Sequence, residues 1–398
     1  MKAVAVIPAR YASTRLPGKP LLDICGKPLI QHVWETVSRA RGLDEVVVAT
    51  DDARIAHAVQ AFGGKVCMTS PDCRSGSDRV REVAASLAAD VYVNVQGDEP
   101  LLEASAIERL RDVFTENVSV QVATLCSSIS EEQARSPHQV KVIRDHAENA
   151  LYFSRAPLPF VREFLGHVGI YAYRADALRG FASLPFSPLE QAEKLEQLRF
   201  LQAGIAIRVL EVPPMGVGVD TPEDLERVRA VVRKRRRAEA LEKLKRVRLV
   251  ITDVDGVLTD GGLYYGPDGE CLKRFHARDG LGVRLLQQAG IQVAVLSGRD
   301  CPALRKRLAD LGITEAVLGQ VDKRAVLSGI IERCGVSAEE VAFIGDDIPD
   351  MEVFGLCGVS VTVGDASDYV KARADLVLEC QGGQGAFREL LDVILPRQ

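Results

Sequence analysis

Directly after the apolar run Ala3–Ala9, the segment Pro8–Pro20 reads PARYASTRLPGKP and gathers Arg10, Ser13, Thr14, Arg15, Gly18 and Lys19 into one loop. Backbone N–H groups and three cations at a strand end suit a polyphosphate, since a nucleoside triphosphate carries a charge of about −4. The spacing is not that of a Walker A loop. Two carboxylates belong with it. Asp98 follows an apolar run in NVQGDEP (Asn94–Pro100), and Asp220 lies in GVGVDTPED (Gly216–Asp224). In the second segment Thr221, Pro222 and Asp224 read as a helix start, with Thr as cap and Pro in the first helical position. That account leaves Asp220 unassigned. Two carboxylates beside a triphosphate loop point to metal-assisted nucleotidyl transfer, in which a cation screens the phosphates while a sugar hydroxyl attacks in line.

A second set lies further along. Asp253 and Asp255 stand in DVDGVLTD (Asp253–Asp260) directly after RLVIT, and a lone D-x-D is weak evidence. Ser297 in VLSGR, Lys323 in QVDKRAVL and Asp346 in IGDDIPD, each near an apolar run, strengthen it. Together they supply what phosphomonoester hydrolysis needs. A carboxylate attacks phosphorus, a second carboxylate moves protons, Mg²⁺ offsets repulsion between anions, and Ser and Lys hold the transferring oxygens. The demand is large, because such hydrolysis needs accelerations of up to ~10²¹.

These residues need rigid strand ends to hold them. The runs Ala3–Ala9, Glu45–Asp51 and Val91–Asp98 read as buried strands in the first half, with Leu29–Ala40 and Ala53–Phe62 as helices. Arg248–Val254, Gln292–Ser297 and Val341–Gly345 repeat the strand signal in the second half. The alternation predicts an α/β fold of two Rossmann-like domains with parallel sheets, whose chemistry lies at the strand ends. Between them VRAVVRKRRRAEALEKLKRVR (Val228–Arg248) is helical in propensity and densely basic. The predicted division is a first domain over 1–232, a basic helical linker over 233–246 and a second domain over 247–398. A solvated linker accounts for the basic run, and no aromatic residue interleaves it as nucleic-acid binding would favour.

The 398 residues carry a net charge of −5 and 47% hydrophobic residues, so bulk charge favours neither nucleic acid nor a membrane surface. The apolar run at the start is too short for a signal-peptide core, and no run is long enough to span a bilayer. Nine cysteines without a C-x-x-C pair read as reduced thiols. The expectation is a cytoplasmic enzyme.

Over residues 1–232 the ordered strings PARYASTRLPGKPL, VNVQGDEP, LYFSRAPLP, HVGIYAYR, LEQLR and GVDTPEDLERVR resemble the CMP-Kdo synthetases, the 3-deoxy-manno-octulosonate cytidylyltransferases. The resemblance implies a nucleotide-diphospho-sugar-transferase-like domain that moves CMP from CTP to the anomeric hydroxyl of Kdo with Mg²⁺. It implies that Arg10, Ser13, Arg15 and Lys19 hold the phosphates and that Arg74, Gly76 and Arg79 lie near the cytidine. Asp98 and Asp220 would hold the metal, with Lys19 and Asp98 serving catalysis. Gln96, Arg155, His167, Tyr171, Glu196 and Gln197 would line the sugar pocket. One departure is the short segment FVREFLG (160–166), which trims a loop ahead of the sugar residues.

Over roughly 247–396 DGVLTDG, GLYYGPDGE, RDGLG, GDDIPDMEV and GGQGAFREL resemble the haloacid-dehalogenase superfamily, in particular capless Kdo 8-phosphate phosphatases. The implied roles are Asp253 as nucleophile, Asp255 as acid and base, and Ser297 and Lys323 as phosphate holders. Asp253, Asp255 (through its backbone carbonyl) and Asp346 would surround Mg²⁺, with Asp347 behind them. Only GGLYYGPDGECLKRFHAR separates Asp260 from Asp279, and its turn residues predict a β-hairpin in place of a cap. Gln384 stands where that family usually carries Arg. The resemblances imply a homo-oligomer, dimeric from the first half or tetrameric from the second. The alternatives are a sialic-acid or other nonulosonate cytidylyltransferase, or a second half serving as an assembly scaffold.

Overall fold

The computed structural model describes residues 1–12, 16–73, 75–158, 163–216, 218–267 and 269–396. Its contacts divide it into two compact units, Met1–Val228 and Arg229–Gln398. The division falls within one helix, Pro222–Leu244, and the basic run is not wholly solvated. Ala240 and Leu244 are buried in the core of the second unit.

The strands of the first unit are β1 (Ala3–Ala9), β2 (Asp23–Ile24), β3 (Lys27–Pro28), β4 (Glu45–Thr50), β5 (Lys65–Met68) and β6 (Val91–Asn94). They continue with β7 (Val122–Ser128), β8 (Lys141–Arg144), β9 (Ala150–Ser154), β10 (Leu165–Arg174) and β11 (Ile207–Glu211). The main sheet runs β11-β7-β10-β6-β1-β4-β5, with β8 on β10 and β9 on β8. β1 is central and sheathed on both faces, which is why Ala3–Ile7 form an unbroken apolar run without solvent exposure. β5, β4, β1 and β6 are parallel, but β10 runs antiparallel between β6 and β7. This departs from the predicted parallel sheet. It has a consequence for the site, because the start of β10, not its end, lies at the edge where β6 and β7 finish. His167 stands opposite Cys126 and Tyr171 opposite Asn94.

The second unit contains β12 (Leu249–Thr252), the hairpin β13 (Tyr264–Gly266) and β14 (Gly269–Leu272), and then β15 (Gln292–Ser297), β16 (Glu315–Leu318), β17 (Val341–Gly345), β18 (Val359–Thr362) and β19 (Leu376–Val377). Its sheet has the order β16-β15-β12-β17-β18-β19, parallel throughout. Leu249–Ile251 and Ala342–Ile344 are fully buried at its centre. The hairpin appears where its turn residues predicted it.

Candidate active sites

In the first unit the loop after β1 meets both carboxylates through one ammonium. Gly18 takes a positive φ of 68° and donates its N–H to Tyr11, turning the chain so that Lys19 enters a short 3-10 helix. Lys19 Nζ then donates to Asp98 Oδ2 at 2.7 Å, to the Val219 carbonyl at 2.7 Å and to Asp220 Oδ1 at 3.0 Å. β6 ends at Asn94, so Asp98 projects from the loop beyond the strand and not from the strand itself. Asp98 and Asp220 raise the pKa of Lys19 and keep it charged, although burial alone would lower it. Next to them Glu99 is pushed up to about 8, first by burial and then by Asp98 and Asp220. One ammonium therefore leaves negative charge in excess here, and the donor set, all oxygen, fits a divalent cation held by Asp98 and Asp220.

A cavity of about 300 Å³ lies over this junction, lined by Arg10, Lys19, Gly76, Arg79, Gln96, Asp98 and Asp220 among others. The helix Gly76–Ser86 begins at its wall. Ser75 accepts from the Asp78 N–H while the Asp78 side chain accepts from the Ser75 N–H, a capping box that aims the helix start at the cavity. Arg79 behaves differently from a ligand-seeking cation. It is 4% exposed and pairs with Asp51 at 3.0 Å and with the Thr69 hydroxyl, so it braces the cavity floor. Ser13, Thr14, Arg15 and Arg74 lie outside the described residues, as does part of the shortened segment, 160–162.

Among the expected sugar residues, His167 and Tyr171 are in ring contact, with centroids 5.3 Å apart. Gln96 lines the first cavity. His167 lines a second one of about 630 Å³, which shares Asp98 and Asp220 with the first. Tyr171, Glu196, Gln197 and Arg155 line neither. Glu196 accepts from Ser77 at 2.7 Å, which ties it to the helix at the cavity wall, and its pKa is raised by burial. Among the described residues, the buried Tyr171 hydroxyl, opposite Asn94, and the buried Gln197 Nε2 have no hydrogen-bond partner. Arg155 directs Nε to the Glu193 carbonyl at 3.2 Å and Nη1 to that of Pro137 at 3.4 Å. His167 is neutral, its pKa pushed down to about 3 by burial. Thr124 gives its one proton to the Ile170 carbonyl at 2.7 Å, so His167 Nε2–H is the donor to the Thr124 hydroxyl at 2.9 Å.

The second unit assembles its site at the ends of β12, β15 and β17. Asp253 follows β12, and Asp346 follows β17, the strand beside it. Ser297 ends β15, two residues past the register partner of Thr252, and is buried. Asp322 caps the helix Lys323–Cys334 and sets Lys323 at its first turn, while Leu327 and Ile330 anchor it in the core. Lys323 is 4% exposed and donates to Asp253 Oδ2 at 3.0 Å and to Asp350 Oδ1 at 2.5 Å. Gly256 has a φ of 86°, and a side-chain carbon there would overlap the Asp346 carboxylate, so the turn after β12 must be bare for Asp346 to reach in.

Ligand oxygens of Asp253, Asp346 and Asp350 all lie within 4.8 Å of one another. Asp253 is raised to about 6 by burial and the Asp350 charge, and Asp346 to about 8 by burial, Asp350 and Asp253. Three crowded carboxylates facing one ammonium fit a divalent cation. Asp350 is the residue that sequence reasoning missed. It also accepts from the Asp346 and Asp347 N–H groups, and its signal was its place four residues after Asp346 in GDDIPD. Asp347 instead caps the helix Ile348–Phe354. The Asp255 side chain stands outside the carboxylate cluster, on Lys273. No helix among the described residues is long and apolar enough to cross a membrane.

A loop-and-carboxylate cavity on a mixed α/β sheet, and an Asp–Lys cluster at the ends of a parallel sheet, mark an enzyme with a nucleotidyltransferase unit and a hydrolase-like unit. Residues 4–207 match the model of the cytidylyltransferase family, and residues 315–390 match that of the haloacid dehalogenase-like hydrolases. The chain belongs to the cytidylyltransferase family. It is 54% identical to the 3-deoxy-manno-octulosonate cytidylyltransferase of Escherichia coli, over 58% of this chain and 96% of that protein. It is 51% identical to the one from Geobacter sulfurreducens, over 57% and 98%. Among solved structures it resembles a CMP:2-keto-3-deoxy-manno-octonic acid synthetase complexed with CTP, with 53% identity, a TM-score of 0.58 and coverage of 59% of this chain and 100% of that one. A cobalt-bound deoxy-D-mannose-octulosonate 8-phosphate phosphatase from Haemophilus influenzae is 54% identical, with a TM-score of 0.38, over 38% of this chain and 90% of that one.

Proposed function

We propose that this chain is a bifunctional cytoplasmic enzyme of lipopolysaccharide precursor synthesis. Its second unit hydrolyses Kdo 8-phosphate to Kdo and phosphate, and its first unit couples Kdo with CTP to give CMP-Kdo and pyrophosphate. The observation that carries the transfer reading is the Lys19 ammonium joining Asp98 and Asp220 beneath the phosphate loop. Arg10 and Lys19 bind the triphosphate and Gly76 lets the nucleotide approach the helix start. Mg²⁺ held by Asp98 and Asp220 supplies screening of phosphate charge. The anomeric oxygen attacks the α-phosphorus, its proton passes to water, and the bond to pyrophosphate breaks.

In the second unit Asp253 is the nucleophile, with Asp255 as acid and then base. Lys323 and Ser297 hold the phosphoryl oxygens and Asp346 and Asp350 stand beside Asp253. Asp253, Asp346 and Asp350, with the Asp255 carbonyl, would hold Mg²⁺, which would offset charge between nucleophile and phosphate. The family match over residues 315–390 supports this half.

The test supplies Kdo 8-phosphate, CTP and Mg²⁺ to the full chain. The reading expects CMP-Kdo with both phosphate and pyrophosphate. Phosphate release without CMP-Kdo, or preferential turnover of N-acetylneuraminate, refutes the sugar assignment. CMP transfer to Kdo with no phosphate release leaves the second unit a scaffold.

A further inference from the structure

Lys273 immediately follows β14, the second strand of the hairpin. The hairpin is mostly exposed, with Tyr264, Tyr265 and Leu272 facing solvent, yet the Lys273 side chain is 1% exposed. Burying an ammonium costs several kcal/mol unless it is well paired. Here it is paired twice, with Asp255 Oδ1 and with Glu270 Oε1 at 2.8 Å. Arg299 is a looser neighbour, with Nε 3.9 Å from Asp255 Oδ2 and Nη1 4.0 Å from Glu270 Oε2. Thr259 donates to Asp255 Oδ1 at 3.4 Å. One oxygen of Asp255 is thus gripped from the hairpin, while Oδ2 has the looser Arg299 beside it and is the oxygen placed to exchange a proton.

We propose that Lys273 is a positioning residue of the second unit: carried in by the β13–β14 hairpin, its ammonium fixes the Asp255 carboxylate for proton exchange with the ester's leaving oxygen. The inference rests on the phosphatase reading. In the first half-reaction an Asp253 oxygen bonds to phosphorus, the ester P–O bond breaks, and the proton on Asp255 passes to the departing oxygen, giving an aspartyl phosphate and an alcohol. In the second, a water oxygen bonds to phosphorus, its proton passes to Asp255, and the bond to Asp253 breaks to release phosphate. An acid whose carboxylate swings loses the alignment that makes it effective, so the loss falls on leaving groups that need a proton.

The experiment measures leaving-group release in a single turnover at saturating substrate, with the full Mg²⁺-loaded chain. A primary alkyl phosphate, which needs a proton to leave, is compared with p-nitrophenyl phosphate, which leaves as a stable phenolate. Lys273→Met is expected to slow the alkyl phosphate by about 10–100-fold, part of the 10²–10⁴ that general acid–base catalysis contributes. Half-saturation stays nearly unchanged, p-nitrophenol release falls much less, and Lys273→Arg recovers part of the loss. An equal fall on both substrates, a raised half-saturation concentration with an unchanged rate, or no change would overturn the proposal. A wild-type chain that hydrolyses neither substrate overturns the phosphatase reading itself, whereas an active wild type with an insensitive Lys273→Met overturns only the positioning role.

Discussion

Replacing Lys323 by methionine keeps the length of the side chain and deletes one buried charge between two carboxylates. Lys323 Nζ lies 3.0 Å from Asp253 and 2.5 Å from Asp350, whose side chains are 12% and 1% exposed. At an effective dielectric near 20, a pair 3 Å apart is worth about 5–6 kcal/mol. Release from the cost of burying the ammonium returns part of that. The expected net loss is therefore about 3–5 kcal/mol, the range for stranding a buried charge. Asp346, already raised to about 8, then faces Asp253 and Asp350 with no ammonium among them. The single tryptophan, Trp34, lies in the first unit, so its fluorescence reports that unit while far-UV circular dichroism reports both. In urea at pH 9 with a chelator, the variant should show an early circular-dichroism transition while the Trp34 transition stays in place. Mg²⁺ should recover part of the loss by supplying the missing positive charge. A loss below about 1 kcal/mol, the scale of an exposed ion pair, would refute the claim that Lys323 offsets a buried anionic cluster.

Asp253→Asn should abolish phosphate release and leave CMP transfer nearly intact, because the nucleophile belongs to one unit; parallel assays of phosphate and pyrophosphate decide it. Asp98→Asn should do the reverse, cutting pyrophosphate release at least ~100-fold, as expected for loss of a group acting on charge in the transition state. Stability of the metal-free second unit should rise as pH falls from 9 to 5. Asp346 and Asp253 have folded-state values of about 8 and about 6, above the ordinary carboxylate value of about 3.9, so their ionised forms cost stability at high pH. That cost is relieved as pH falls through 8 and then 6. Divalent-cation affinity should run the opposite way, strengthening as pH rises; a flat pH profile for both quantities would contradict the crowding.

Much of both sites was legible because buried parallel strands are short apolar runs that end abruptly in Asp, Ser or Gly. β1, β12, β15 and β17 were readable in this way, and with them the positions of Asp253, Ser297 and Asp346. The helix start at Thr221 was readable from capping chemistry, and the hairpin from its turn residues. The direction of β10 was not readable, since an apolar strand carries the same pattern whichever way it runs, and its reversal decides which end of HVGIYAYR meets the site. Partnerships across the fold were equally hidden. Arg79 looked like a nucleotide contact and pairs with Asp51, 28 residues earlier. Lys273, at the end of the hairpin, closes on Asp255, 18 residues earlier. Such pairs follow from packing that no local pattern encodes.

The central claim is that oxygen ligands at the strand-end loops of each unit collect a divalent cation. Anomalous diffraction from crystals of the full chain soaked in Mn²⁺ tests it directly. The account predicts one peak in contact with Asp98 and Asp220 and another in contact with Asp253, Asp346 and Asp350. Peaks elsewhere with these five carboxylates bare would contradict it.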